Sequence, residues 1–265
     1  MRLTTQYRSL WISDVHLGTR RCKADSLVNF LRSTEAHNLF LVGDIVDGWN
    51  LGRAWHWTAA QAEVVEEISD WRRRGTKVTF LPGNHDEENL DVIERMFGQV
   101  AIETDVVHRT LEGRSMLVTH GHRFDTGIAN GRWMAAMGAY QVLTKFDEWY
   151  RTPEDRTCTK RLTEYLKTSV RRAVDRATSA DRAEFRRAVL ETALKYRVDG
   201  IICGHIHQPA QFMIGPIWYN NDGDWVENCT ALAEDLNGKL RLIRHQEPTF
   251  DSFSADSESR PGEVA

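Results

Sequence analysis

Apolar, β-rich runs recur along this chain, and each gives way abruptly to a short polar cluster. Ser9 to Ser13 precedes Asp14-Val15-His16, Leu39 to Val42 precedes Gly43-Asp44, and Lys77 to Leu81 precedes Gly83-Asn84-His85-Asp86. Met116 to Thr119 precedes His120-Gly121-His122, and Gly200 to Cys203 precedes Gly204-His205-Ile206-His207. Between the early runs the apolar spacing is helical. Lys23 to Arg32 puts Leu27, Phe30 and Leu31 on one face, and Ala59 to Arg73 does the same with Val64, Val65, Ile68 and Trp71 before Gly75 stops it. Strands alternating with helices up to about residue 120 predict parallel strands joined by crossover helices. After residue 200 the pattern turns to hairpins. Gln211 to Ile214 and Ile217 to Tyr219 flank Gly215-Pro216, while Cys229 to Glu234 and Lys239 to Arg244 flank Asn237-Gly238.

Strands that end in polar side chains of related chemistry can deliver them to one rim of a sheet, where open α/β sheets hold their ligands. Here the side chains are carboxylate, imidazole and amide, a donor set that suits Mn, Fe, Co, Ni or Zn. Such a site needs residues from 14 to 207, so residues 1–247 are expected to form one domain. Residues 248–265, rich in Ser, Asp and Glu, read as a disordered tail.

Composition narrows the classes. A chain of 265 residues with 41% hydrophobic and 27% charged positions can bury a large core and reads as a soluble globular protein. Cys22, Cys158, Cys203 and Cys229 show no CxxC spacing, so neither a disulfide framework nor a zinc cluster is expected, and a reducing cytoplasm is. The beginning of the chain lacks a signal-peptide pattern, and no stretch approaches the roughly 20 apolar residues of a membrane span. The net charge of −4 and the lack of a basic groove argue against nucleic acid as a partner.

Residues 130–197 interrupt the alternation with helical patterning. Trp133, Met134, Met137, Tyr140, Val142, Leu143, Phe146 and Trp149 make an apolar first part, and an excess of basic residues follows. Two readings stand: ordinary helices packing on the fold, or a lid at the site mouth whose apolar face takes acyl chains and whose basic face meets phosphate or anionic lipid.

The ordered clusters D-x-H, GD, GNHD, H and GHxH resemble the signature of the calcineurin-like metallophosphoesterases, over about residues 8–245. The runs from Trp11 to Arg20 and from Asn221 to Ala231 resemble more narrowly the UDP-2,3-diacylglucosamine pyrophosphatase branch, which acts in lipid A synthesis. This resemblance implies an α/β fold, a four-layer α/β-β/α sandwich of two mixed sheets with a helical lid insertion. It implies two divalent metal ions, Mn first and Zn, Co, Ni or Fe as alternatives. Asp14, His16, Asp44 and His207 would hold one ion and Asp44, Asn84, His120 and His205 the other, with Asp44 as the bridge.

A metal pair lowers the pKa of a bound water and neutralises charge at phosphorus. His85 has no ligand role in the family scheme and is placed to protonate the leaving oxygen or steady the phosphoryl oxygens. Asp86 either orients His85 or caps the turn. The lipid A enzymes usually carry GNRD at this motif, so His85 is a departure that leaves the exact substrate open. His122, Asp125, Arg20, Trp133 and Tyr140 are candidate substrate contacts, with surface, packing or supporting roles as the alternative. His56, between two tryptophans, either lines the mouth or packs in its loop, and Asp47 is taken as a loop stabiliser.

The implied substrate is a phosphoester or lipid-linked nucleotide, UDP-2,3-diacylglucosamine or similar, cleaved to UMP and an acylated sugar 1-phosphate. The implied location is cytoplasmic, with peripheral contact to the inner membrane face. The alternatives are a phosphodiesterase on another nucleotide or phospholipid headgroup, and a metal-free protein-binding scaffold.

Overall fold

Alternation along the strands assigns each side chain to a layer. In β1 (Thr5–Ile12), Leu10 and Ile12 are buried towards the helices and Trp11 towards the opposite sheet. The same division recurs in β2 (Thr34–Val42), where Leu39 and Leu41 face helices while Phe40 and Val42 face the other sheet. A strand apolar on both sides has to be covered on both sides, and this chain supplies a cover for each.

The computed structural model describes residues 4–50, 55–98, 100–124 and 183–245. The first sheet has the order β11-β10-β1-β2-β3-β4. Its β3 is Lys77–Leu81, β4 Ala101–Ile102, β10 Thr230–Glu234 and β11 Leu240–Arg244. β1 to β4 run parallel, and β10 and β11 are antiparallel additions. Helices α1 (Ala24–Ser33), α2 (Ala59–Arg73) and α3 (Leu90–Phe97) cover its outer side. Thr58 caps α2, accepting the Gln61 N–H on its hydroxyl.

The second sheet has the order β5-β6-β7-β9-β8, made of β5 (Val106–Arg109), β6 (Ser115–Val118), β7 (Gly200–Cys203), β8 (Ala210–Ile214) and β9 (Ile217–Asn221). β6, β7 and β9 are parallel, and β5 and β8 antiparallel. Trp11, Phe40, Val42 and Leu81 of the first sheet pack against Met116, Val118 and Ile202 of the second. Two mixed sheets thus lie face to face with helices outside, the α/β sandwich expected. Fully burying each such side chain is worth about 1.5–3 kcal/mol.

The second sheet is covered by helical residues 183–196, whose Val189 and Ala193 meet Leu117, Ile201, Ile214 and Tyr219. This end of the 130–197 segment is therefore a packing helix. The apolar part, with Trp133 and Tyr140, lies outside the described residues, as do Asp125 and the tail 248–265.

Glu234 of β10 ties the sheets together far from the metal-type clusters. Its buried carboxylate accepts from Arg8 Nη1 at 2.5 Å, from Ser9 Oγ at 3.1 Å and from the Leu111 N–H at 2.7 Å. It also meets His108 Nε2 at 3.1 Å. Burial pushes the Glu234 carboxyl upward, but His108, the Leu111 N–H and Arg8 outweigh it and leave it below the usual range.

Candidate metal centre

Every polar cluster follows directly on the carboxyl end of a strand. β2 lies between β1 and β3, so Asp44 falls between the Asp14 loop and the Asn84 loop. From the facing sheet, β6 leads into His120 and β7 into His205 and His207. The loops after β1 and β2 run zipped: the N–H groups of Asp14, His16 and Leu17 donate to the carbonyls of Gly43, Asp44 and Ile45 at 2.9–3.0 Å.

The chain is strained here. Asp14, His16, Asp44, His205 and His207 all have φ between 50° and 71°, the left-handed region. Outside the site, the other non-glycine residues of the described chain in that region are Arg197 and Cys229. Each costs roughly 1–2 kcal/mol, and strain gathered this way is the mark of a built site. Gly83 serves the same crowding, since a Cβ there would lie 2.2 Å from Asp44 Oδ1.

Two donor triads result. Asp14, His16 and His207 bring their ligand atoms within 4.8 Å of one another, and so do Asp44, His120 and His205. Asp44 Oδ2 stands between them, 3.9 Å from His16 Nε2 and 3.7 Å from His120 Nε2. Asp14 Oδ1 is 3.2 Å from His207 Nε2 and 3.5 Å from His120 Nε2. A third triad joins His16, Asp47 and His85.

The field at this spot asks for cations. Burial acts to lower His120, but Asp44 and Asp14 lift it to about 9. Burial acts likewise on His207, and Asp14 raises it. Burial opposes ionisation of Asp14, yet its hydrogen bonds with His120 and His207 hold it well below the carboxylate range. Protons gathered by imidazoles here stand where divalent ions would supply the charge. Asn84 Oδ1 is buried without a hydrogen-bond partner, which an amide oxygen tolerates when a cation takes its lone pair. The donor set and this orphaned oxygen both fit a divalent metal.

His85 turns its Nε2 to the site, 3.8 Å from Asp44 Oδ2, and hydrogen-bonds Asp47 Oδ1 through Nδ1 at 3.2 Å. Its backbone N–H donates to Asp44 Oδ1 at 2.9 Å. Burial lowers His85, and Asp47 and Asp44 more than reverse it. The partner that orients His85 is thus Asp47, not Asp86. Asp86 accepts the N–H groups of Val46, Ile45 and Gly83 at 2.9–3.3 Å, which makes it the cap of the loop. Asp47, taken from sequence as a loop stabiliser only, also lies 3.8 Å from His16 Nδ1.

His122 backs His120, with their Nδ1 atoms 3.2 Å apart, and its Nε2 meets Glu87 at 3.2 Å. Burial and His120 lower its pKa. Arg20 is exposed and Arg21 pairs with Glu227. His56 is tied to the first loop by its N–H to the Gly18 carbonyl.

Sequence reasoning missed what stands behind Asp14. Ser13 Oγ lies 2.5 Å from Asp14 Oδ2 and 2.7 Å from Asp222 Oδ1. Asp222 is fully buried, and that burial pushes its carboxyl well above the usual range. Trp225, whose ring packs on Phe30, sends its backbone N–H to the Asp14 carbonyl. Asn228 Nδ2 holds the His207 carbonyl. The only signal in the sequence is the Asn221 to Ala231 run itself.

Residues 7–209 match the family described as calcineurin-like phosphoesterase. Two curated relatives bear the name UDP-2,3-diacylglucosamine hydrolase. One, from Xanthomonas campestris pv. campestris strain B100, is 27% identical over 252 residues, covering 87% of this chain and 96% of its own. The other, from Stenotrophomonas maltophilia strain R551-3, is 28% identical over 240 residues with the same coverage. Among solved structures, an archaeal phosphodiesterase aligns at 13% identity and TM-score 0.45, over 89% of this chain and 98% of its own. Phosphopantetheinyl hydrolase of Mycobacterium tuberculosis aligns at 15% identity and TM-score 0.41, over 98% and 100%.

Proposed function

The chain belongs to the calcineurin-like phosphoesterase family, and from that membership we propose that it hydrolyses the pyrophosphate of a lipid-linked nucleotide sugar with two divalent ions, Mn by preference. The substrate is UDP-2,3-diacylglucosamine or a close analogue, and the products are UMP and an acylated sugar 1-phosphate. Its curated relatives bear the name UDP-2,3-diacylglucosamine hydrolase, which supports this substrate.

In this reading Asp14, His16 and His207 would hold one ion and Asn84, His120 and His205 the other, with Asp44 available to both. Ions so held lower the pKa of water and offset charge on the phosphoryl oxygens. The residues do the rest. Water attacks the phosphorus bearing uridine and gives up a proton to solvent, the bond to the sugar phosphate breaks, and His85 gives the proton on Nε2 to the leaving oxygen and regains one from solvent. Asp47 holds the other ring nitrogen and supports the charged form of His85. Ser13 and Asp222 fix the Asp14 carboxylate, and His122 fixes the His120 ring.

The observation that carries this reading is the place of Asp44 Oδ2, within 3.9 Å of one ring nitrogen from each triad. A shared carboxylate between two donor sets is what a metal pair about 3.5–4 Å apart requires. The complete donor set speaks against a metal-free scaffold.

Residues 1–247 act as one domain, with the apolar part of the 130–197 segment receiving the acyl chains. Among the described residues no helix is long and apolar enough to cross a membrane. The protein works in the cytoplasm and meets lipid at the inner membrane face through that segment. The test is a hydrolysis screen of the purified protein with Mn, setting UDP-2,3-diacylglucosamine beside soluble diesters. Release of UMP, with a strong preference for the lipid substrate, is expected. Turnover of soluble diesters alone would overturn the substrate assignment while leaving the reaction class.

A further inference from the structure

One aromatic side chain stands over the site without a part in the chemistry described. Trp49 belongs to the short 3-10 turn Gly48–Asn50 that follows Asp47. Its ring stacks on the His85 imidazole, with centroids 3.7 Å apart and planes 29° from parallel. It is nevertheless 64% exposed. One face is spent on His85, and most of the indole is offered to solvent at the mouth.

The placement is built into the backbone. The Gly48 N–H donates to the His85 carbonyl at 3.1 Å. A Cβ at position 48 would lie 2.5 Å from that carbonyl oxygen and 2.3 Å from Asn89 Nδ2. Only glycine allows so close an approach, and the approach is what sets Trp49 on His85. With one face on His85, the exposed remainder of the indole is an apolar surface beside the polar centre, on which the apolar side of a ligand can pack.

We infer that Trp49 determines specificity on the leaving side of the substrate, as the platform for the saturated ring of a sugar 1-phosphate. This rests on the reading that His85 protonates the leaving oxygen. That oxygen must come within hydrogen-bond reach of His85 Nε2. Whatever the leaving phosphate carries then lies against the neighbour of His85, and that neighbour is Trp49. A pyranose ring has an apolar face of C–H groups that packs flat on an indole. The nucleoside, on the phosphorus that is attacked, points away from His85.

The test uses the Mn-loaded full chain and its hydrolysis of bis(4-nitrophenyl) phosphate, inhibited in turn by glucose 1-phosphate, UMP and inorganic phosphate. Trp49→Ala is expected to raise the Ki of glucose 1-phosphate about five- to tenfold, the scale of one aromatic contact. Trp49→Phe should recover part of the loss, and the Ki values of UMP and phosphate should stay within twofold. Trp49→Leu carries the same expectation if the alanine variant does not fold. A rise for UMP instead would put Trp49 on the nucleoside side and overturn the inference. A parallel rise for all three would show that Trp49 acts only through His85, and would overturn it too. A wild-type protein that with Mn hydrolyses neither UDP-2,3-diacylglucosamine nor any diester would refute the reaction itself. A wild-type protein that does so and is inhibited by glucose 1-phosphate, with variants indistinguishable from it, would refute the role of Trp49 alone.

Discussion

At Asp44 a single oxygen serves both triads, so its charge matters more than its shape. Asp44→Asn keeps the volume and the acceptor for the His85 N–H, but removes the negative charge that two cations would share. Activity is expected to fall by more than the roughly 10–100-fold that loss of an outer partner of a metal ligand costs. The metal-free protein should still fold. Normal metal content with full activity, measured by elemental analysis and diester hydrolysis, would remove Asp44 from the bridging position.

His85 divides binding from proton transfer. His85→Ala should keep its metal and lose about 10²–10⁴ in rate, the weight of a general acid. The loss should be smaller for a nitrophenyl leaving group, which needs no proton. Asp47→Asn leaves the ring in place but weakens its hold on the proton, since Asp47 is the chief opponent of burial in raising the pKa of His85. The limb of the pH–rate profile that reports the protonated acid should therefore move to lower pH. An unmoved limb would place the proton elsewhere. This pair also shows where sequence reading stops. A carboxylate three residues after Asp44 is equally consistent with a loop cap and with a partner for histidine. Only the meeting of the loops after β2 and β3 makes Asp47 the partner and Asp86 the cap.

At the scale of elements, periodicity was the most legible signal. Lys77–Leu81 and Ala59–Arg73 are a strand and a helix with the bounds read from pattern alone, because apolar runs and a terminal glycine mark their ends. β2 begins at Thr34, ahead of the Leu39 to Val42 run, because its first half is polar and half-open and carries no apolar pattern. α3 passes unnoticed in sequence: eight residues with Ile93 and Phe97 as the buried ones are too short a repeat to stand out.

Glu234 is an element-scale contact, joining β10 to β1 and β5. A carboxyl held below its ordinary pKa stabilises the fold above pH about 4.5, and that contribution is lost as pH falls through the folded value. Wild-type melting temperature should drop on acidification below about pH 4.5. Glu234→Gln should cost about 1.5–3 kcal/mol at neutral pH, the scale of hydrogen bonds to a charged group. It should also flatten this acid limb. An acid limb equally steep in both proteins would deny Glu234 that part.

The apolar stretch of the insertion makes its own prediction. If it takes acyl chains, Trp133→Ala or Tyr140→Ala should weaken turnover of an acylated substrate by about 1–3 kcal/mol, one buried apolar side chain. A small soluble diester should be spared. Equal loss of both activities with a lowered melting temperature would make these residues core.

Across the whole molecule, the two sheets are arranged so that β1, β2 and β3 from one and β6 and β7 from the other end at the same place. The order of the polar clusters made that convergence readable, because each marks the end of an apolar run and their chemistry is shared. What the sequence does not carry is the depth of the site: Ser13 and Asp222 are brought together from opposite ends of the chain, and Trp49 is set on His85 by a glycine contact between loops. These depend on tertiary approach, for which a single sequence has no local mark.

A requirement for two cations held by this one rim is what hydrolysis is expected to turn on. Its most direct test is titration of chelator-stripped protein with Mn, following binding by calorimetry and bis(4-nitrophenyl) phosphate hydrolysis in the same samples. Two ions per chain are expected, with activity absent from the stripped protein and returning as the second site fills. Hydrolysis by the stripped protein, or no Mn binding at the concentrations where activity appears, would contradict the account.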